Sequence, residues 1–267
     1  MLAICLSGGG AKGAAHVGAL LELEKMGLKF DMVVGSSIGA LVGAGYAILG
    51  SAKALYEYAL KLQKLTFVKK VPSSRSIPSF IECFGANLLP STLPSFIYFW
   101  PLKRFLKDWK FENLKIRFAC TAVNIENGEL KIFFDEGYIL PALKASMAIP
   151  GVFKPVKING KKYMDGGTLE NLPILPAKKL GADKIIGLKL LSKKIKYNEI
   201  KNAAQAFERI DNIRENIMEG IYKEDNIIIE LPTQDFNTLD FTQTEKLIEI
   251  GQKTIFENKE YILENLS

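Results

Sequence analysis

Three observations in the sequence predict a mainly parallel α/β fold, with a sheet flanked by helices. Over the first fifty positions, short apolar runs alternate with apolar residues at helical spacing. Two glycine-rich segments stand where the first two runs end. Further along, Asn-Gly dipeptides sit between short apolar runs, as tight hairpins require.

Leu2–Leu6 is an apolar run of the length of a buried strand. Beyond Gly8-Gly9-Gly10-Ala11-Lys12-Gly13, the stretch from Ala14 to Met26 places Val17, Leu20, Leu21 and Leu23 at helical spacing, and Gly27 stops it. Phe30–Val34 reads as a second strand and Ile38 to Leu49 as a second helix, apolar on most faces. Strand, helix, strand, helix in this order makes a right-handed βαβ unit and a parallel sheet. Residues 67–101 are rich in Pro, Ser and aromatics without a period, and the whole of 53–117 reads as an irregular insertion. Arg117–Val123 and Glu129–Phe134 are strands around Asn127-Gly128, and Val156–Ile158 and Tyr163–Met164 are strands around Asn159-Gly160. A short helix near Leu175–Leu180 precedes a strand at Lys184–Leu190. Glu199–Tyr222 and Thr242–Leu266 are amphipathic helices on either side of an Ile227–Leu231 strand. No linker interrupts the chain, so one domain over 1–267 is expected.

With 48% hydrophobic and 24% charged residues over 267 positions, the chain has enough apolar material for a sizeable core. Its cysteines, Cys5, Cys83 and Cys120, fit neither a disulfide framework nor a zinc pattern, which suits a reducing compartment. No secretory signal is seen at the start, and a cytoplasmic location follows as the expectation. Met32 to Ala52 is uncharged, but its five glycines favour a strand, a turn and a buried helix over a membrane span. Cys83 to Pro101 is uncharged too, and Pro90, Pro94 and Pro101 interrupt it. Residues 1–198 carry 28 Lys and Arg against 14 Asp and Glu, whereas 199–267 carry 7 against 15. Such a basic body favours transient contact with an anionic membrane surface. Nucleic acid is not expected as a partner.

Gly8-x-Gly10-x-x-Gly13, between a strand and a helix, matches the dinucleotide-binding fingerprint. That fingerprint also wants an acidic residue at the end of the second strand, to hold a ribose. Asp31 begins that strand instead, and the P-loop reading fails because no Gly-Lys-Ser/Thr closes the loop. The second strand ends in Gly35-Ser36-Ser37-Ile38-Gly39, and Gly-x-Ser-x-Gly between a strand and an apolar helix is the nucleophile-elbow pattern. Gly35 and Gly39 leave room for backbone and substrate, and the helix N-terminus favours a developing negative charge. Loops after neighbouring parallel strands meet at the carboxyl edge of the sheet. The glycine loop, with Gly8, Gly9, Gly10, Lys12 and Gly13, therefore lies beside Ser37 as an oxyanion hole, its N–H groups facing a tetrahedral intermediate.

A serine–histidine–aspartate triad needs an imidazole. The single histidine, His16, falls inside the first helix, where a packing role is expected. A carboxylate acting on the serine directly is the remaining route. Asp165, in Tyr163-Met164-Asp165-Gly166-Gly167, stands where a short strand ends in a sharp turn.

In this order the three blocks resemble the patatin-like phospholipases, especially bacterial-type members. Residues 145–156 (ASMAIPGVFKPV) are similar to the family's approach to its aspartate, and the likeness covers about 2–190. The chain differs from many members by Lys12 in place of Arg and by Gly167 in place of Ala. The resemblance implies a three-layer α/β/α fold, a dyad of nucleophile Ser37 and proton acceptor Asp165, and hydrolysis of lipid acyl esters or phospholipid. It implies no cofactor and no metal.

Residues 53–117 hold 12 of the 27 aromatics beside 12 basic residues, a mixture suited to the headgroup boundary. Phe96-Ile97-Tyr98-Phe99-Trp100 is accordingly expected to form a lid or docking edge. Three competing readings are a dinucleotide-dependent oxidoreductase, a non-catalytic lipid-binding module and a serine peptidase.

Overall fold

The computed structural model describes residues 1–64, 103–150, 153–192, 209, 213–215, 217, 218, 220–222, 226–238 and 240–266. Among them eight strands form one sheet: β1 (Leu2–Leu6), β2 (Met32–Gly35), β3 (Arg117–Asn124), β4 (Leu130–Phe134), β5 (Val156–Ile158), β6 (Lys161–Asp165), β7 (Lys184–Leu190) and β8 (Ile227–Leu231). They lie in the order β5-β6-β3-β2-β1-β7-β8, with β4 also paired to β3. From β8 through β1 to β3 all pairs are parallel, while β4, β5 and β6 form an antiparallel edge. The sequence expectation of a mainly parallel sheet thus describes its middle and one side.

Residues of one strand alternate between two cores, as the two-residue period of a strand demands. Ile4 and Leu6 of β1 and Val33 of β2 join the larger core. That face is covered by α1 (Ala14–Lys25), α2 (Ile38–Leu49), α3 (Ala52–Lys64) and α6 (Thr244–Glu257). Ala3, Cys5, Met32 and Val34 point the other way, toward α5 (Ile174–Lys179), Met218 and Tyr222. Two further helices are α4 (Ile139–Ser146) and α7 (Lys259–Leu266). Helices on both faces of the sheet make the expected three layers.

Several expected boundaries move. The proposed irregular insertion begins as the regular helix α3, and Leu106 and Phe111 near its far end are buried in the larger core. The Phe96–Trp100 lid, Cys83 and most of 193–212 lie outside the described residues. The single helix expected over Thr242–Leu266 is two, α6 and α7, divided at Asn258, whose N–H and side chain both bond back to Thr254. The uncharged stretch from Met32 is strand, turn and helix, and no helix among the described residues is long and apolar enough to cross a membrane. Asn159 and Gly160 have φ of 48° and 83°, so both central residues of the β5–β6 turn are left-handed, as a two-residue hairpin requires.

Strand registers bring the site together. Leu6 of β1 lies opposite Gly35 of β2 and opposite Leu188 of β7, so three loops leave the sheet at one carboxyl edge. β2 covers β3 from Arg117 to Cys120, and β4 pairs with Ala119 to Val123. A strand has only two edges, so β2 and β4 take opposite ones. β6 pairs with Ala122 to Asn124 and must share the edge of β2. β3 therefore runs past the end of β2, and Asp165, opposite Ala122, arrives head-on where Ser36 and Ser37 leave.

Candidate active site

Ser37 has φ 53° and ψ −123°, a left-handed conformation that a residue with a Cβ adopts only under constraint. The constraint is visible around it. Its own N–H donates to Ser146 Oγ at 3.1 Å, and the Gly39 N–H returns to the Ser36 carbonyl at 2.9 Å. A Cβ on Gly35 would stand 2.4 Å from the Gly39 carbonyl oxygen, and one on Gly39 would stand 2.2 Å from that of Leu6. Both flanking glycines are thus demanded by backbone contacts. The turn places Ser37, 8% exposed, at the N-terminus of α2.

Asp165 is 5% exposed and ends β6. Its Oδ1 accepts the Gly167 N–H at 2.8 Å, which turns the chain into a short 3₁₀ segment, Gly166–Thr168. There is no space for a side chain at Gly166, where a Cβ would meet Thr121 Oγ1 at 2.3 Å. Burial raises the carboxyl pKa to about 6, against the opposing pull of hydrogen bonds with the Ser37 hydroxyl and the Gly167 N–H and of the positive charge of Arg214. Arg214 is attached to the same turn, donating to the Thr168 carbonyl.

The glycine loop differs in detail from the expectation. Gly8 lies against Ser37, with 3.1 Å between a Cβ built on it and that of Ser37. Its N–H is not free, however: it is shared between the Asn171 carbonyl at 3.2 Å and Asn171 Oδ1 at 3.1 Å. In this structure the Gly8 N–H, expected to face an oxyanion, is thus engaged by Asn171. Lys12, expected in the oxyanion hole, is engaged elsewhere as well. Its ammonium is turned to the end of β7, donating to the Leu191 carbonyl at 3.0 Å and to Ser192 Oγ at 3.3 Å, and burial lowers its pKa. Gly13 packs on α2, where a Cβ would stand 2.3 Å from Ile38 Cγ1. Gly10 is left-handed at φ 60° and opens the 3₁₀ turn Gly10–Gly13, and the Ala11 N–H is held by the Thr238 carbonyl at 2.7 Å. The first N–H groups of a helical turn have no partner within it. Among the described residues, the Gly9 and Gly10 amides meet no acceptor.

His16 is fully buried, with Nε2 2.9 Å from the Ser7 carbonyl, and burial pushes its pKa down to about 4. It is a neutral donor that ties α1 to the root of the glycine loop. Asp31 lies at the opposite, amino end of β1, accepting the Leu2 N–H at 2.7 Å. No carboxylate from the second strand reaches the glycine loop, so the dinucleotide reading loses its ribose partner. Sequence reasoning missed Ser146 and Asn171. Ser146 lies within the 145–156 block, but nothing in that block marks the serine as a partner of Ser37; Asn171 follows the Asp-Gly-Gly block by four positions, and only folding brings it to Gly8.

A family described as patatin-like phospholipase matches residues 4–178. Lysophospholipase NTE1 of Meyerozyma guilliermondii is 34% identical over 191 residues, which is 69% of this chain and 12% of that protein. Lysophospholipase NTE1 of Debaryomyces hansenii is 28% identical over 282 residues, 93% of this chain and 17% of that protein. The chain thus spans under a fifth of either relative. Both relatives are eukaryotic, so they lend no support to the bacterial-type part of the resemblance. Human GIVD cytosolic phospholipase A2, solved with methyl gamma-linolenyl fluorophosphonate, aligns with 100% of this chain and 58% of its own, at TM-score 0.49 and 13% identity. That likeness is too distant to bear on function.

Proposed function

This chain belongs to the patatin-like phospholipase family, and we propose that it hydrolyses lipid acyl esters, in the manner of a phospholipase A or lysophospholipase, with Ser37 as nucleophile and Asp165 as its base. The observation that carries this reading is the meeting of a strained, buried serine with a buried carboxylate whose pKa is raised to about 6. An ordinary aspartate, at about 3.9, is a poor proton acceptor for a hydroxyl. Raising that value while keeping the group ionised near neutrality improves it as a base.

Asp165 takes the hydroxyl proton as Ser37 Oγ bonds to the acyl carbon. The electron pair of the carbonyl moves to its oxygen, which the Gly9 and Gly10 amides and the N-terminus of α2 stabilise. Collapse expels the alcohol of the lipid, which leaves with the proton held by Asp165. Water then gives a proton to Asp165 and attacks the acyl-serine, and collapse returns a proton to Ser37 and releases the fatty acid. Support for lipid as substrate comes from the family and from the NTE1 relatives named as lysophospholipases. The basic majority of the chain suits brief contact with an anionic membrane. Buried free thiols at Cys5 and Cys120 agree with a reducing, cytoplasmic setting.

The deciding experiment is intact mass after exposure to a fluorophosphonate, paired with release of fatty acid from lysophospholipid vesicles. Wild type should take one adduct and release fatty acid. Ser37→Ala should do neither, and Asp165→Asn should label and turn over about 10²–10⁴-fold more slowly. A folded wild type that binds the vesicles without adduct or product would establish the lipid-binding module instead.

A further inference from the structure

We propose that Asn171 is a positioning residue for this chemistry: by accepting the Gly8 N–H it sets the glycine loop against the Asp165 turn and leaves the next amides to face the oxyanion. The inference rests on the hydrolase reading above. It assigns Asn171 a role exerted through Gly8 rather than on the reacting atoms.

The geometry is specific. The Gly8 N–H sits between the Asn171 carbonyl and Oδ1, at 3.2 and 3.1 Å, so one residue restrains that peptide plane from two directions. Oδ1 stands 2.5 Å from where a Gly8 Cβ would be and 3.0 Å from where a Gly167 Cβ would be. The amide head thus fills the gap between the two loops, and the glycines on both sides admit it. On its other side, Nδ2 donates to Glu215 Oε1 at 3.2 Å. Beside Glu215, Arg214 reaches the Thr168 carbonyl and lowers the Asp165 pKa. Asn171 therefore ties the glycine loop after β1 and the aspartate turn after β6 to a common support.

The side chain fits the task chemically. An acceptor is needed toward Gly8 and a donor toward Glu215, and a planar carboxamide carries both on one short stem. Aspartate would keep the acceptor but face a second carboxylate. Alanine would leave Gly8 with the Asn171 main-chain carbonyl alone, free to pivot. Displacing reactive groups by about 1 Å costs on the order of 10²-fold in rate. A loss of that kind falls on turnover, because the loop holds the transition state more tightly than the ester.

The test uses the full chain and a soluble short-chain p-nitrophenyl ester, with kcat and KM measured beside the urea unfolding midpoint. Wild-type hydrolysis that disappears in Ser37→Ala first secures the hydrolase reading, and its absence would fault that reading alone. Given it, Asn171→Ala should lower kcat by about 10²-fold with KM within about twofold. Asn171→Asp combined with Glu215→Gln keeps the acceptor toward Gly8 and exchanges donor for acceptor toward Glu215, and it should recover most of kcat. An Asn171→Ala enzyme with kcat within about twofold of wild type overturns the proposal. So does a folded double variant as slow as the alanine variant, since the acceptor would then be irrelevant. Should Asn171→Ala fail to fold, the double variant is compared with wild type: kcat within about tenfold supports the proposal, and a folded double variant slower by about 10²-fold overturns it.

Discussion

The proposed nucleophile and its proposed carboxylate partner reach the candidate site from unlike halves of one sheet. Ser37 and the glycine loop leave the parallel half, where β1 and β2 end level and 3₁₀ and α turns follow at once. Asp165 comes from the antiparallel edge, where β6 joins β3 only beyond the end of β2. On the parallel side, steric contact does the positioning, since backbone oxygens stand where side chains at Gly35 and Gly39 would go. On the antiparallel side, burial does it, making a carboxyl more basic while the Gly167 N–H holds its orientation. One half supplies shape and the other supplies basicity.

Substitutions can break this division, the largest effect coming from the parallel half. Gly39→Ala drives a methyl against the Leu6 carbonyl carbon at 2.6 Å and the Ser7 carbonyl oxygen at 2.7 Å. We expect about 3 kcal/mol of destabilisation in urea unfolding and no fluorophosphonate adduct. Gly167→Ala, whose nearest atom is 3.0 Å away, should keep both the fold and some labelling. A Gly39→Ala protein with an unchanged midpoint would contradict the steric account.

Ser146→Ala comes next. It strips the acceptor from the buried Ser37 N–H, which should cost about 1–3 kcal/mol of stability. Because φ at Ser37 depends on that bond, fluorophosphonate labelling should slow in parallel. Unaltered labelling would show that α2 alone holds the elbow.

The antiparallel side is sharpened by pH. Asp165 is a base only when ionised, so kcat/KM should rise with pH and level off above about 6. Arg214 lowers the Asp165 pKa, and Arg214→Gln should therefore move the acid limb to higher pH. A limb that stays put would place Arg214 outside the electrostatics of the site.

The smallest effect is on stability. Burial raises the Glu170 carboxyl to about 7, against the Leu175 N–H that it accepts at the start of α5 and against Lys179. A carboxyl whose pKa is raised on folding contributes stability at low pH that is lost as pH rises through the folded value. Glu170 and Asp165 together should make the unfolding midpoint fall as pH climbs from about 4 through about 7. Glu170→Gln retains an acceptor for Leu175 and should flatten the upper part of that fall. An equally steep fall in the variant would assign it to other groups.

The first fifty residues were legible because their periods are strong and their turns are local. Boundaries shifted by one or two residues, as at β2, which starts at Met32 and ends on Gly35. The helix α4 went unread, with Pro141 standing in its first turn, where its missing N–H costs no helical bond. α3 was absorbed into a supposed irregular insertion although its sequence is helical and amphipathic. The division of α6 from α7 depends on the bonds that Asn258 makes back to Thr254, and neither residue is a breaker by type.

Sequence alone determined which side chains are proposed to carry the chemistry: a serine on an elbow, an aspartate on a turn, and glycines where the backbone must come close. Those are local demands, written in spacing. Tertiary structure decided which glycine amides remain free, where Lys12 points, and how basic Asp165 becomes. Each of these depends on partners far along the chain. Asn171 reaches Gly8 across 163 positions and the Leu191 carbonyl reaches Lys12 across 179. Hydrogen-bond availability and desolvation belong to the packed molecule, because folding decides which donors meet an acceptor and which, like the Gly9 and Gly10 amides, do not.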